Sequence, residues 1–282
     1  MTTSPFRADL YRGTASYYDR FRPPYPAELI DDLARRTGAD GTGRLMDLAC
    51  GTGLISFALS GRFAEVWAVD SEPDMISIVR QKAAALTEPP RWEFVTTAAE
   101  DLTAPAESFD LVTIGNAFHR LPRTVVAERV LQWLRPGGHL ALLWGGSPNQ
   151  GSGPNQGTAP WQQALQATMR AWMERPGAEQ LLPASYAADR AARPDPDILR
   201  AAGFEVLGRH EFPVTRTWTV AEIAGFTAST SVLSPAALGS EAAAFEADLS
   251  QALLEQEPSG QFRQDTSFAC ELARRPVGSG RA

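Results

Sequence analysis

Residues 47–54, with the sequence Asp-Leu-Ala-Cys-Gly-Thr-Gly-Leu, place the strongest constraint on the fold of this 282-residue chain. They end a short apolar run that is typical of a buried strand, and they lead into a helical pattern at residues 54–60. Gly51 and Gly53 allow a tight turn and a close approach to a ligand, because neither carries a Cβ atom. A strand, a glycine loop and a helix in this order predict the ligand-binding unit of an α/β sheet.

The same alternation of strands and helices extends over residues 26–144. The apolar spacing at residues 72–86 predicts an amphipathic helix between two strand-like runs. Near-continuous apolar strands separated by helices indicate a parallel sheet that is covered on both faces. We therefore predict an α/β, Rossmann-like, mostly parallel and doubly wound sheet. Strands are predicted at residues 44–49, 66–69, 92–95, 109–114 and 139–144.

The alternation ends at Gly145, and we divide the chain there into a core at residues 26–144 and a second part at residues 145–282. The Gly-, Pro-, Ser-, Asn- and Gln-rich residues 145–160 predict a connector. The rest of the second part contains helical patterns, the longest at residues 220–253, and two extended segments at residues 204–217 and 262–273, which we assign to the last two strands. Helices inserted around these strands are expected to cap the carboxyl edge of the sheet, where open α/β sheets bind ligands.

Two carboxylates distinguish between nucleotide ligands. Asp47, four residues before Gly51, would repel a pyrophosphate but favour a ligand with an ammonium group. Asp70 ends the second predicted strand, 70 − 51 = 19 residues after Gly51, where a carboxylate can accept hydrogen bonds from both ribose hydroxyls. Ser56 stands where a dinucleotide fingerprint has Gly or Ala. These features favour S-adenosylmethionine (SAM) over NAD as the ligand.

Three further motifs follow in order along the chain. They are Ala99-Glu100-Asp101-Leu102, Ser108-Phe109-Asp110-Leu111-Val112 and Leu134-Arg135-Pro136-Gly137-Gly138. With the glycine loop and Asp70, they make residues 44–144 resemble the class I SAM-dependent methyltransferases of the bacterial small-molecule, type 11-like group. This resemblance implies a seven-stranded sheet, SAM as methyl donor and S-adenosylhomocysteine as product. It departs from many relatives at Ala98, where they have Asp, and at Arg120, where they have Trp.

The resemblance also implies a lid. Residues 17–26 are similar to the lid helix of the small-molecule enzymes, and we therefore assign residues 1–25 to an N-terminal lid segment. Tyr18 and Arg22 are then candidates for the carboxylate of the methionine moiety, with a surface position of Arg22 as the alternative. The other implied cofactor-binding residues are Asp47, Ala49, Cys50, Gly51, Gly53, Asp70, Ser71, Met75, Ala99, Glu100 and Asn116. Met75 lies against adenine or belongs to the helix core.

His119 is the candidate general base, because it follows the fourth predicted strand beside the expected position of the reactive methyl group. The alternative is a histidine that only hydrogen-bonds the acceptor or caps a helix. Residues predicted to line the acceptor site are Tyr17, Phe118, Trp144 and Phe226. They favour a small, partly apolar acceptor such as a natural-product intermediate, methylated on oxygen or, second, on nitrogen.

Composition excludes several partners. The net charge is −7 and Lys82 is the single lysine, which argues against a nucleic acid. No apolar run approaches the roughly 20 residues of a membrane span, and no acidic cluster indicates a metal site. We expect a cytoplasmic, bacterial enzyme, monomeric or homodimeric. The alternatives are a non-catalytic SAM-binding protein of the same fold and, less favoured, a nucleotide-dependent oxidoreductase.

Overall fold

A seven-stranded sheet forms the centre of the protein in a computed structural model that describes residues 9–151, 157–175 and 192–277. The strand order is β3-β2-β1-β4-β5-β7-β6. Strands β1 to β5 run parallel, whereas β7 runs antiparallel to both β5 and β6. The predicted α/β, mostly parallel sheet is confirmed. The strands are β1 Arg44–Leu48, β2 Glu65–Asp70, β3 Arg91–Thr96, β4 Phe109–Gly115, β5 Leu134–Trp144, β6 Glu205–Thr219 and β7 Gln261–Arg274.

Helices connect the parallel strands and surround the late pair. In the described ranges they are α1 Ala15–Phe21, α2 Ala27–Thr37, α3 Leu54–Leu59, α4 Pro73–Ala84, α5 Arg123–Trp133, α6 Pro160–Glu174, α7 Asp195–Ala202, α8 Val220–Ala228, α9 Pro235–Leu238 and α10 Ala242–Gln256. Short 3-10 turns lie at Ser60–Arg62, Phe118–Arg120 and Gly239–Glu241.

The central strands are buried on both faces, as a parallel sheet between helices requires. Side chains alternate along each strand, so Leu45 of β1 and Leu111 of β4 pack on one face beneath α2 and α3. Met46 and Val112, one residue further on, pack on the other face against α5 and α7. All four side chains are fully buried. This packing holds the carboxyl ends of the parallel strands at one edge of the sheet.

The structure differs from the predicted elements in two places. Strand β5 begins at Leu134 instead of residue 139, because Leu134 pairs with Phe109 of β4 across a register shift. The predicted helical region at residues 220–253 is divided into α8, α9 and α10. Ser and Thr side chains at residues 229–231 compete for backbone hydrogen bonds after α8, and Pro235 starts α9 at its first position.

The connector predicted after β5 begins with an anchored turn. Buried Gln264 donates from Nε2 to the carbonyl oxygens of Ser147 at 2.9 Å and Gln150 at 2.6 Å. Its Oε1 accepts a hydrogen bond from Nε1 of Trp218 at 2.6 Å. Gln162 of α6 donates to the same Gln150 carbonyl at 3.0 Å. The turn is therefore fixed to both β7 and α6, while residues 152–156 lie outside the described part of the chain.

We predict that Gln264→Leu lowers the free energy of unfolding by about 1–3 kcal/mol, because it leaves the buried Trp218 indole N–H without its acceptor and removes one donor from each of the Ser147 and Gln150 carbonyls. Urea unfolding followed by tryptophan fluorescence measures this loss. Gln261→Leu is the matched control, because Gln261 is exposed on the same strand. Equal stabilities of the two variants would contradict the anchoring role of Gln264.

Candidate functional site

A cavity of about 350 Å³ opens at the carboxyl edge of the parallel strands. Its volume lies within the usual range of small-molecule sites. The walls come from the loops after β1, β2, β3 and β4 and from the N-terminal segment with α1. The lining residues are Leu10, Tyr11, Tyr18, Arg22, Ala49, Gly51, Asp70, Ser71, Glu72, Met75, Thr97, Ala98, Ala99, Glu100, Asp101, Gly115, Asn116, Ala117, Arg120 and Leu121.

The glycine loop forms one wall of this cavity through its backbone. Gly51 has a φ of +55°, and a Cβ atom built on it would lie 3.1 Å from Cε1 of Tyr18. Ala49 also has a positive φ, of 56°, which is uncommon for a residue with a side chain. The close contact between the loop and Tyr18 therefore requires glycine at position 51.

Asp70 connects the loop to the end of β2. Its Oδ2 accepts a hydrogen bond from the backbone N–H of Gly51 at 2.8 Å, and its Oδ1 accepts one from Glu72 at 2.9 Å. Burial raises the pKa of Asp70, against these hydrogen bonds, which lower it. A carboxylate has about four lone-pair sites, so two are left for donors in the cavity. Two vicinal hydroxyls fit this arrangement.

Asp47 is a fully buried carboxylate behind the loop. Its Oδ2 accepts hydrogen bonds from the backbone N–H of Ser56 at 3.0 Å and from the Ser56 hydroxyl at 2.6 Å. Its Oδ1 accepts one from the Thr113 hydroxyl at 2.9 Å. Burial raises the pKa of Asp47 from 3.8 to about 6, although these hydrogen bonds lower it. A cation close to Asp47 would therefore be stabilised by an ionised partner in a site of low polarity.

A smaller chamber of about 20 Å³ joins Asp47 to the main cavity. Tyr18, Arg22, Ala49 and Asn116 line both spaces. This volume holds about one water molecule or a group of similar size. The methionine ammonium group that we expected near Asp47 has this size.

Helix α1 covers the cavity and is tied to the core by the single lysine of the chain. Lys82 of α4 forms an ion pair with Asp19 of α1 at 2.8 Å and donates to the carbonyl of Thr52 at 3.2 Å. On its other side α1 packs on α8, where a Cβ atom on Gly225 would lie 2.4 Å from the Phe21 ring. The segment predicted as a lid therefore lies over the cavity in its described part, residues 9–25.

Arg22 lies in the cavity wall rather than on the open surface. Its guanidinium carbon is 4.6 Å from the centre of the Tyr18 ring and 4.2 Å from that of Phe226. Its Nε donates to the hydroxyl of Ser229 at 2.8 Å. The Arg22 guanidinium therefore contacts two aromatic rings and one serine hydroxyl.

Asn116 closes the opposite wall at the end of β4. Its Oδ1 accepts a hydrogen bond from the backbone N–H of Gly145 at 3.1 Å, and its Nδ2 donates to the Gly145 carbonyl at 3.0 Å. Its φ of 51° fits the frequent occurrence of Asn in the left-handed region. Asn116 therefore joins the ends of β4 and β5 as well as lining the cavity.

The structure brings most of the predicted cofactor residues together. Gly53 lines neither space. It forms the turn into α3 with a φ of +83°, and a Cβ atom there would lie 2.8 Å from the Phe57 ring. Cys50 lines only the small chamber. Met75 is buried in α4 and also lines the cavity, and its contact with adenine stays a prediction. The predicted residues that line the main cavity are Tyr18, Arg22, Ala49, Gly51, Asp70, Ser71, Met75, Ala99, Glu100 and Asn116.

The predicted acceptor residues are more dispersed. Phe118 is fully buried in the core beside α5 and lines none of the three described cavities, so its role in acceptor binding stays a prediction. His119 is partly buried and packs against Trp144, with 5.4 Å between the ring centres, and it is not part of the main cavity wall. Phe226 is buried against Trp218 and Arg22.

Tyr17 faces a separate, mostly apolar cavity of about 190 Å³ on the far side of α1. Phe21 lines the same cavity and stacks on Tyr17, with 6.3 Å between the ring centres. The two faces of α1 therefore contact different cavities: Tyr18 and Arg22 face the main one, and Tyr17 faces this one.

Several residues that line the cavities were not predicted from the sequence as ligand contacts. Glu72, Ala117 and Arg120 directly follow the motifs at Asp70 and Asn116, and that position was the available signal. Tyr11 and Leu10 carry no pattern that marks a ligand contact. The other cavity residues not predicted are Thr97, Ala98, Asp101, Gly115 and Leu121, with Pro23, Tyr25, Leu54, Ile55, Gly145 and Gly146 in the small chamber.

Two further properties concern only the described residues. Among them, no group of three or more His, Cys, Asp or Glu side chains is placed to hold a metal ion. Within the same ranges, no helix has the length and apolar character needed to cross a membrane.

Sequence comparison places this site in a known domain family. A profile described as a methyltransferase domain matches residues 45–138. An uncharacterized methyltransferase of Mycobacterium tuberculosis is 35% identical over 145 residues, which cover 51% of this chain and 56% of the relative. The chain spans about half the length of the curated relatives it matches.

Structure comparison gives the same fold. A protein of Anaeromyxobacter dehalogenans assigned as a type II methyltransferase is similar with a TM-score of 0.59 and 19% identity, over 91% of this chain and 98% of the other. The [4+2]-cyclase SpnF is similar with a TM-score of 0.55 and 18% identity, over 99% of both chains. The resemblance inferred from the motifs is thus confirmed at the level of the domain: residues 45–138 match a methyltransferase domain, and the overall fold is that of the two similar structures.

The buried Asp47 makes stability depend on pH. The pKa of this carboxyl is 3.8 in the unfolded chain and about 6 in the folded protein. Between these values the folded state holds the proton more tightly, so the free energy of unfolding falls as the pH rises from about 4 to about 6. The difference in pKa corresponds to about 3 kcal/mol.

We predict that Asp47→Asn removes this part of the pH dependence and raises the free energy of unfolding at pH 7.5 in the ligand-free protein. The amide can accept from Ser56 and donate to Thr113, so no buried charge remains. Urea unfolding at pH 4.5 and pH 7.5 measures the effect. Asp74→Asn, at an exposed position in α4, serves as the control. If Asp47→Asn keeps the wild-type difference between the two pH values, the assignment is wrong.

Proposed function

We propose that the protein is a SAM-dependent methyltransferase that acts on a small molecule. The observation that carries this proposal is the convergence of Gly51, Asp70 and Glu100 on one cavity beneath α1. These residues lie at or after the ends of three different strands, and the parallel sheet brings those ends together at one edge. The methyltransferase domain match supports the proposal but leaves the donor and the acceptor of this chain open.

The cavity fits SAM in three parts. Ala99, Glu100 and Met75 would contact the adenine, and the free lone pairs of Asp70 would accept from the ribose hydroxyls. At the other end, the chamber beside Asp47 would take the ammonium group. SAM supplies a methyl group on a sulfonium, which is already a strong electrophile. The protein then contributes positioning and exclusion of water by α1, which covers the cavity.

Arg22 and Tyr18 would hold the carboxylate of the methionine moiety. Arg22 lines both spaces, so its guanidinium lies between the ribose part of the cavity and the chamber beside Asp47. A guanidinium suits a carboxylate because it donates through several N–H groups in a fixed plane. Opposite charges at Asp47 and Arg22 would orient the zwitterionic end of the ligand.

The acceptor is proposed to be a small, partly apolar metabolite, methylated on oxygen or nitrogen. Leu10, Ala117 and Leu121 give part of the cavity an apolar wall, and Arg120 and Tyr11 add polar groups. The cover formed by α1 favours a molecule that can be enclosed. A natural-product intermediate has this character.

His119 remains the proposed general base. It follows β4 in the 3-10 turn Phe118–Arg120, and its neighbours Ala117 and Arg120 line the cavity. Its own ring lies against Trp144. The acceptor would therefore approach from the Trp144 side of this turn if His119 accepts its proton.

A non-catalytic SAM-binding protein is the second candidate. The overall fold is also similar to that of the [4+2]-cyclase SpnF, and a fold does not by itself determine the chemistry of a site. The oxidoreductase alternative is disfavoured by Asp47, whose buried carboxylate would face the phosphates of a dinucleotide. Binding of NADH with no binding of S-adenosylhomocysteine would favour it instead.

We predict that Asp70→Ala weakens binding of S-adenosylhomocysteine at least about tenfold, because it removes the ribose acceptor and the anchor of the Gly51 amide. Isothermal titration calorimetry measures the affinity. Asp74→Ala should bind as the wild type does, because Asp74 is exposed in the first turn of α4. Unchanged affinity in Asp70→Ala would refute the proposed ribose site.

We predict that His119→Ala lowers methyl transfer by roughly 10²–10⁴-fold while the affinity for S-adenosylhomocysteine stays constant. The affinity is preserved because His119 is outside the wall of the main cavity. Transfer from labelled SAM to a panel of hydroxylated and amino acceptors measures turnover, with His210→Ala on β6 as control. Near-normal turnover and an unchanged pH profile would exclude His119 as the base.

A further inference from the structure

We infer that the buried turn at residues 229–231, which follows α8, positions Arg22 and Arg120 of the cavity wall, and that through Arg22 it sets the affinity for the carboxylate end of the ligand. The inference rests on the proposed binding of SAM. It assigns a role to Ser229 and Ser231, which belong to none of the sequence motifs. Both serines act through an arginine and are therefore positioning residues.

Ser229 fixes the plane of Arg22. The Ser229 hydroxyl accepts from Nε at 2.8 Å, and the Ser229 carbonyl lies 3.4 Å from Nη2. The guanidinium carbon also lies 4.6 Å from the centre of the Tyr18 ring and 4.2 Å from that of Phe226. These contacts engage Nε and Nη2 of Arg22 and place two aromatic rings against its guanidinium.

Ser231 makes the corresponding contact with Arg120, which comes from the turn after β4. Its hydroxyl accepts from Nη1 of Arg120 at 3.1 Å. Arg22 and Arg120 are both part of the wall of the main cavity, and they come from different elements, the end of α1 and the turn after β4. A single three-residue turn therefore orients both arginines.

The turn is rigid enough for this role. Ser229 and Ser231 are 0% and 1% exposed. The Ser229 N–H donates to the Gly225 carbonyl at 3.1 Å, and its hydroxyl donates to the Phe226 carbonyl at 2.5 Å. Thr230 donates from its hydroxyl to Thr227 at 2.7 Å. Because these bonds lie within the end of α8, a shift of this helix would move the guanidinium of Arg22.

An arginine that is preorganised by its neighbours binds a carboxylate more tightly than a mobile one, because less side-chain entropy is lost on binding. Removal of the Ser229 hydroxyl should therefore weaken only those ligands that carry a carboxylate. S-adenosylhomocysteine carries one. 5′-Methylthioadenosine has the same adenine, ribose and thioether but neither the carboxylate nor the ammonium group. The pair of ligands separates positioning of Arg22 from a general loss of structure.

The experiment is calorimetric titration of both ligands into the wild type, Ser229→Ala and Ser229→Thr. We expect Ser229→Ala to weaken S-adenosylhomocysteine about fivefold to tenfold and 5′-methylthioadenosine less than about twofold. Ser229→Thr keeps the hydroxyl and should restore most of the affinity. In an Arg22→Ala background, the Ser229→Ala change should have no further effect.

Ser234→Ala is the matched control. Ser234 is a buried serine that caps α9, close to the turn in sequence, and its hydroxyl accepts from the N–H of Ala237. This variant should leave both affinities unchanged. An equal loss in Ser234→Ala would show a general effect on the helices and overturn the inference.

Two other results overturn the inference alone: wild-type affinity for S-adenosylhomocysteine in Ser229→Ala, or equal losses for both ligands. An additive loss in the double variant with Arg22→Ala also contradicts it. A wild-type protein that binds neither ligand refutes the proposed function itself. The two failures are thus distinguished by the wild-type titration.

Discussion

A buried carboxylate at the end of β1 connects the elements from which the site is built. Asp47 accepts hydrogen bonds from Ser56 in α3 and from Thr113 in β4, while its own strand leads into the glycine loop. Burial opposes its ionisation and the hydrogen bonds favour it, which leaves its pKa at about 6. A cationic group in the neighbouring chamber would stabilise the ionised form of this carboxylate. The geometry of the loop and the charge of the site therefore depend on the same residue.

The opposite charge is supplied by elements that are distant in sequence. Arg22 belongs to the segment after α1, and it is held by Phe226 and Ser229 at the end of α8. Asp47 is fixed by the core, whereas Arg22 is fixed by the contact between the N-terminal segment and the late helices. The two ends of a zwitterion would thus be bound by two parts of the protein. Binding of such a ligand would favour the arrangement in which α1, α8 and the core are together.

The parallel sheet and most of the wall of the main cavity were predictable from the sequence, because local patterns determine both. The glycine loop and Asp70 lie at fixed positions relative to their strands, and the ends of parallel strands meet at one edge. Phe118 packs in the core rather than in the cavity wall, because a residue after β4 can face either the cavity or α5 and this one contacts the helix. Ser229 and Ser231 could not be found, since their partners Arg22 and Arg120 are 207 and 111 residues away.

The matched methyltransferase domain contains only the part of the site that lies at the strand ends. The domain match covers residues 45–138, which contain the loop, Asp70, Glu100 and Asn116 but neither α1 nor α8. Backbone amides and the ends of parallel strands determine that part of the site. The cover and the arginine contacts come from α1 and α8, outside the matched domain. The choice of acceptor must therefore be sought in residues whose partners are set by tertiary contacts rather than by motif spacing.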